Sequence, residues 1–220
     1  MNKGGVIFFD LDGTLTDPKQ GIVRSVQFAL KKLRRPVLSE NELTYFIGPP
    51  LHESFKALLW DDLLVDDAVT YFREYFSETG IFESKIYPEI SEILKKLNQL
   101  DCKLFVATSK SQIFAEQIIE HFSLNAHFEE IFGSQLNGIR SDKSEMLKWA
   151  LKETNADPLK SVMIGDRSHD IIGAINNQLT AIGVLYDYGT HDELIGAGAH
   201  FVAETPNNVL QHITAKERHV

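Results

Sequence analysis

The stretch Val6-Ile7-Phe8-Phe9-Asp10-Leu11-Asp12-Gly13-Thr14 decides the fold. Its first four residues are apolar without alternation, the pattern of a strand buried on both faces in a helix-covered parallel sheet. The strand then runs straight into two carboxylates. A second apolar run, Val162-Met163-Ile164, leads in the same way into Gly165-Asp166-Arg167-Ser168-His169-Asp170. Uncompensated charge at the end of a buried strand is costly, and the group either finds a partner or shifts its pKa and neutralises. A hard cation that takes oxygen ligands and keeps several waters, as Mg²⁺ does, relieves that cost. The two clusters therefore point to a metal-assisted carboxylate site at strand ends.

Working outward, further β-type runs occur at Lys103–Thr108, Glu130–Phe132, Ala181–Leu185 and His200–Ala203. Helical patterns lie between most of them, at Glu89–Leu100, Ser111–Phe122, Lys143–Glu153 and Asp170–Gln178. Such alternation predicts an α/β fold with a doubly wound parallel sheet. The stretch from Asp17 to Tyr87 interrupts it with amphipathic helices alone and reads as an inserted all-α domain, residues 17–87. The core is then 1–16 plus 88–220. Within the insertion, Asp17-Pro18-Lys19-Gln20 and Ser39-Glu40-Asn41-Glu42 are helix-start signals, and Gly48-Pro49-Pro50 forces an extended break. Tyr71, Phe72, Tyr75 and Phe76 form an aromatic stripe at helical spacing, which reads as packing. The insertion departs just after Asp12 and returns near Pro88, as a lid over the first acidic cluster would.

The formal charge of −9 argues against a nucleic-acid polymer as partner, since phosphate backbones call for clustered Lys and Arg. It leaves room for a small phosphorylated metabolite, where a metal and a few local cations dominate. The single cysteine, Cys102, excludes an intrachain disulfide framework and fits a reducing compartment. No apolar run approaches the roughly 18 residues of a membrane span, and four apolar residues before Asp10 do not make a signal peptide. The expectation is a cytoplasmic protein away from membranes.

The chemistry follows from the acidic clusters. A calcium loop counted from Asp10 wants Gly at its sixth position and Glu at its twelfth, but Leu15 and Gly21 stand there. Asp10, at the strand end, can attack phosphorus and form an aspartyl phosphate. Asp12 can give a proton to the leaving oxygen and later take one from water, and nearby negative groups should favour its protonated form. Asp166 and Asp170 sit at the end of another strand, where open α/β sheets bind ligands, although Asp170 also fits a helix cap. Thr108, Ser109 and the backbone N–H groups after them lie between a strand and a helix start, a phosphate-binding arrangement. Ser109 or Ser111 is expected to cap that helix. Lys143, at the first position of a helix opened by Asp142, opposes the helix dipole, which an adjacent anion would explain. Lys110 is a rival for the same phosphate-binding task.

With these motifs in order, the chain resembles haloacid dehalogenase-superfamily phosphatases with a helical cap, phosphoglycolate phosphatase-type proteins most of all. The resemblance implies Asp10 as nucleophile and Asp12 as general acid/base. It implies Mg²⁺ held by the Asp10 side chain, the Asp12 backbone carbonyl and Asp166, with Asp170 supporting through water. It also implies that the first and fourth core strands are neighbours and that Gly48-Pro49-Pro50-Leu51 is the cap loop meeting substrate. Gly165-Asp166-Arg167-Ser168-His169-Asp170 is closer to a subgroup with 5′-nucleotidase activity, so two substrate classes stay open, with a phosphomutase as a further use of the same scaffold. Arg24, His52, Lys56 and Arg167 are the candidates to read the organic part of the substrate.

Overall fold

The computed structural model describes residues 5–215; the expected core-domain ends, residues 1–4 and 216–220, lie outside them. The chain separates into two compact units, one of residues 17–85 and one of the remainder. It leaves the larger unit at β2 (Thr16–Asp17) and re-enters it at β3 (Lys85–Ile86).

The smaller unit is helical. It contains α1 (Lys19–Lys32), α2 (Leu51–Leu59) and α3 (Asp62–Glu78), with 3₁₀ turns at Asn41–Phe46 and Gly80–Phe82. The Asp17 carboxylate accepts the Lys19 N–H at 2.9 Å, although the helix proper begins after Pro18. At the second start signal, Glu42 accepts both the N–H and the hydroxyl of Ser39, but the turn it opens is 3₁₀ rather than α-helical. After the Gly-Pro-Pro break, α2 starts directly at Leu51. The aromatic stripe packs as its spacing predicts. Phe72 stacks on Phe76 and meets Phe55 edge-on, Phe55 meets Phe46, and Tyr75 lies against Phe28.

The larger unit is built on six parallel strands: β1 (Val6–Phe9), β4 (Lys103–Ser111), β5 (Glu130–Ser134), β6 (Ser161–Gly165), β7 (Thr180–Val184) and β8 (Phe201–Ala203). Their order across the sheet is β5-β4-β1-β6-β7-β8. The first strand is thus central, and its neighbours are β4, with Phe8 opposite Phe105, and β6, with Phe8 opposite Met163. On one face Phe8, Phe105, Ala107, Phe132, Met163 and Ala181 pack under α6 (Lys143–Thr154), α7 (Ser168–Asn176) and α8 (His191–Gly196). Alternation along each strand sends the intervening residues to the other face. There α4 (Ile90–Gln99) and α5 (Gln112–His121) lie against β4, and α9 (Pro206–Ala215) against α4.

Three local departures bear on the site. Strand β4 continues to Ser111 instead of stopping at Thr108, and its register against β5 slips between Ala107 and Ser111, which advance four residues while β5 advances two. Residues 108–110 bulge out of the ladder as a result. Neither Ser109 nor Ser111 caps α5 through its side chain: the N-cap is Ser111, and its side chain makes no capping bond. Helix α7 begins at Ser168, two residues early, which brings Asp170 into its first turn. Among the described residues no helix is long and apolar enough to cross a membrane.

Candidate active site

The sheet reverses its winding at β1, and the crevice outside the strands' carboxyl ends at such a point is where ligands bind in this architecture. Asp10 follows β1 and Asp166 follows β6, and the ladder continues one step beyond β1 through the Asp10 N–H to Ile164 O bond of 2.9 Å. Asp10, Asp12, Asp166 and Asp170 are all buried. Oxygens of Asp10, Asp166 and Asp170 lie within 4.8 Å of one another.

One cation enters this acidic knot from the protein itself. The Lys143 ammonium is buried, 2.8 Å from Asp10 Oδ1, 2.8 Å from Asp170 Oδ1 and 2.8 Å from the Ala107 carbonyl it donates to. Its position at the start of α6, against the dipole, is thus balanced by two carboxylates of the protein. Burial pulls its pKa down, but Asp10 and Asp170 more than reverse that and hold it above the ordinary value. Asp142 caps the same helix by accepting the Glu145 N–H at 3.0 Å.

Asp12 faces elsewhere. Its Oδ2 lies 2.6 Å from the Lys110 ammonium, on the bulge of β4, so Lys110 and Lys143 serve different carboxylates. The Asp12 pKa is raised, first by burial, with Lys110 pulling it back and Asp10 pushing it up. The negative neighbour expected to favour its protonated form is therefore the lesser cause, and desolvation the greater. Thr108 is buried, and its hydroxyl oxygen accepts the Lys110 N–H at 3.3 Å, which leaves the hydroxyl proton free to donate. Ser109 contributes its carbonyl to Ser134 Oγ at 2.9 Å.

Asp166 is the least satisfied of the set. Thr14 Oγ1 donates to its Oδ1 at 3.3 Å, while its buried Oδ2 has no hydrogen-bond partner. Burial first, then Asp170 and Asp10, raise its pKa well above the usual carboxylate range. Asp170 is better served, accepting the Arg167 N–H at 3.1 Å and pairing with Lys143. Burial, only partly offset by Lys143, still pushes it up to about 6. Asp170 therefore combines the cap role with a place in the knot. The backbone is shaped to allow this crowding. Gly13 has φ +84°, and a Cβ there would lie 2.2 Å from Asp166 Oδ2. A Cβ on Gly165 would lie 2.2 Å from the Asp170 carboxyl carbon.

The donor set fits a divalent cation. Three buried carboxylates face one lysine, so two negative charges are uncompensated when all are ionised, and Asp166 Oδ2 stands without a hydrogen-bond partner. Ligand oxygens about 2.1 Å from a Mg²⁺ ion sit roughly 3–4 Å apart, inside the 4.8 Å spread.

The remaining expected residues are placed differently. Arg167 directs its guanidinium to Glu193, with Nε 3.0 Å from Oε1. In the helical unit Arg24 pairs with Glu83, His52 with Asp66 at 3.5 Å and Lys56 with Asp62 at 3.3 Å. Two residues of the site's surroundings carried no signal in the sequence. Tyr186 donates to the Thr14 carbonyl at 2.9 Å, and Glu193 binds the start of α7. Both lie in the 185–200 region, where no helix is expected from the pattern alone.

A parallel sheet with the carboxylates and lysine so placed defines a class, and comparison with known proteins agrees. Residues 7–184 match the haloacid dehalogenase-like hydrolase family, and the chain belongs to it. A 5′-nucleotidase of Pseudomonas aeruginosa is 43% identical over 86% of each chain. The tyrosine-protein kinase PtkA of Mycobacterium tuberculosis is 34% identical over 94% of this chain and 68% of its own. The crystal structure of a predicted phosphatase from Clostridium acetobutylicum is 39% identical, with a TM-score of 0.93 over 96% of this chain and 99% of that one. The chain is a phosphoric monoester hydrolase of that family.

Proposed function

We propose that the protein is a Mg²⁺-dependent phosphatase that hydrolyses a small phosphate monoester through an aspartyl phosphate. The convergence of Asp10, Asp166 and Asp170 around Lys143 is the observation that supports it. An Asp10 carboxylate oxygen attacks phosphorus, and the bond to the leaving oxygen breaks. Asp12, whose burial favours its protonated form, gives its proton to that oxygen. Water then attacks the phosphoenzyme, Asp12 takes its proton back, and phosphate leaves with Asp10 restored. The Thr108 hydroxyl, the Ser109 N–H and Lys143 hold the phosphoryl oxygens, and Lys110 fixes the orientation of Asp12. Mg²⁺ would be held by Asp10, Asp166 and the Asp12 backbone carbonyl, with Asp170 in support, and when bound it withdraws charge from the phosphoryl group.

For substrate, the 43% identity with a 5′-nucleotidase and the Gly165–Asp170 motif favour nucleoside monophosphates over phosphoglycolate. Arg24, His52, Lys56 and Arg167 stay the candidates to read the organic group, each in an ion pair with an acidic neighbour. The test is phosphate release from a panel containing both substrate classes, in Mg²⁺ and in chelator, for the native chain and Asp10→Asn. Native turnover should require Mg²⁺ and favour a nucleotide, and Asp10→Asn should fall by roughly a thousandfold or more while keeping its circular dichroism. Full turnover in chelator, or near-native turnover by folded Asp10→Asn, overturns the mechanism. Phosphotransfer from ATP to a tyrosine peptide without ester hydrolysis would align the chain with its kinase-named relative instead.

A further inference from the structure

The segment Gly165–Asp170 must present two carboxylates, Asp166 and Asp170, at a fixed separation, yet its middle is a turn outside the sheet. Ladder bonds hold β6 only to Gly165. What holds the rest is a carboxylate from 25 residues further on. Glu193, in the first turn of α8, accepts the Ser168 N–H at 2.8 Å and the Arg167 Nε–H at 3.0 Å, both on Oε1. The same Arg167 donates its backbone N–H to Asp170 Oδ2. Helix α8 is itself fixed, since Thr190 caps it by accepting the Glu193 N–H at 3.2 Å and Leu194 is buried in the sheet core. The connection therefore runs from a docked helix, through one carboxylate, to Arg167 and to Ser168, the first residue of α7.

We infer that Glu193 is a positioning residue for the acidic loop, with Arg167 as its partner: it touches neither phosphate nor cation but sets where Asp166 and Asp170 stand. The inference rests on the metal reading proposed above. It gives a reason for the Arg167 guanidinium to pair with Glu193, with Nε 3.0 Å from Oε1. It also explains why a glutamate stands partly buried on a short helix, where its pKa is depressed: burial works against the charge, and the Ser168 N–H and Arg167 overcome it. Groups that orient metal-binding side chains typically cost 10–100-fold in metal affinity when removed.

The experiment measures Mg²⁺ binding to the full chain by calorimetry, with KM and kcat as second readouts. Glu193→Ala should weaken Mg²⁺ by about tenfold or more and lower kcat, with less effect on KM for the ester. Glu193→Gln keeps an acceptor for the Ser168 N–H but loses the charge facing Arg167, so it should fall between Glu193→Ala and the native chain. Arg167→Met should resemble Glu193→Gln. Asp192→Ala, a neighbouring acid on the same helix, should bind Mg²⁺ as the native chain does. Native Mg²⁺ affinity in folded Glu193→Ala and Glu193→Gln overturns the positioning role while leaving the metal site standing. A native chain that binds no Mg²⁺ overturns the metal reading itself.

Discussion

Replacing Lys143 by Met tests the electrostatic account of the site most directly. The ammonium lies 2.8 Å from each of Asp10 Oδ1, Asp170 Oδ1 and Ala107 O, and it is buried. Methionine matches its shape without its charge, so the substitution removes one partner of a buried ion pair rather than a volume of side chain. Breaking such a pair costs about 3–5 kcal/mol, because the opposing carboxylates stay behind without their cation. For a domain of this size about 1 kcal/mol corresponds to 2–4 °C in melting temperature, so metal-free Lys143→Met should melt roughly 6–20 °C below the native chain. Added Mg²⁺ should recover part of the loss and raise the variant by more degrees than the native chain, since it now compensates three carboxylates instead of two. The assay is thermal unfolding followed by circular dichroism, in chelator and in saturating Mg²⁺. A variant that melts within a degree or two of the native chain in chelator would refute the reasoning.

Two further outcomes follow from the geometry. Gly13→Ala combines a positive φ of +84° with a methyl placed 2.2 Å from Asp166 Oδ2, so the loop must shift; Mg²⁺ affinity measured by calorimetry should drop by about tenfold or more, and an unchanged affinity would show that Asp166 is not needed where it stands. Mg²⁺ affinity should also rise with pH from about 5 upward, because burial raises Asp166 and holds the Asp170 proton up to about 6 in the metal-free fold, and the cation must displace it. The same proton is lost near 3.8 in the unfolded chain, so this group's contribution to metal-free stability falls as pH rises between those two values. An affinity independent of pH from 5 to 8 would contradict that ordering.

The strands and the acidic clusters were legible because each is written in adjacent residues. An unbroken apolar run names a buried strand, and a carboxylate after it names an end of the sheet. Lys143 was legible for a similar reason: its conflict with the helix dipole is local, even though Asp10, which helps resolve it, is 133 residues away. The pairing of Lys110 with Asp12 and the tie between Glu193 and Arg167 were not legible. Both depend on which strands lie side by side, and no spacing in the chain encodes that. The extension of β4 to Ser111 was hidden because Thr108-Ser109-Lys110-Ser111 has the composition of a turn, and a bulge beside a paired strand overrides composition. Short α8 and the last helix, α9, escaped notice because their apolar positions, such as Leu194 and Val209 with Ile213, are too few to set a period.

The central place of β1 also bears on how the chain is made. Its partners in the sheet are β4 and β6, both later in the chain, so β1 waits during synthesis for neighbours that end near residues 111 and 165. At about 5–20 residues per second that interval is roughly 8–30 s, during which Val6–Phe9 has no native β-partner on its second edge. A nascent chain of this protein should therefore be a client of ribosome-associated or general holding chaperones until Gly165 has left the exit tunnel, and chains truncated before β6 should aggregate.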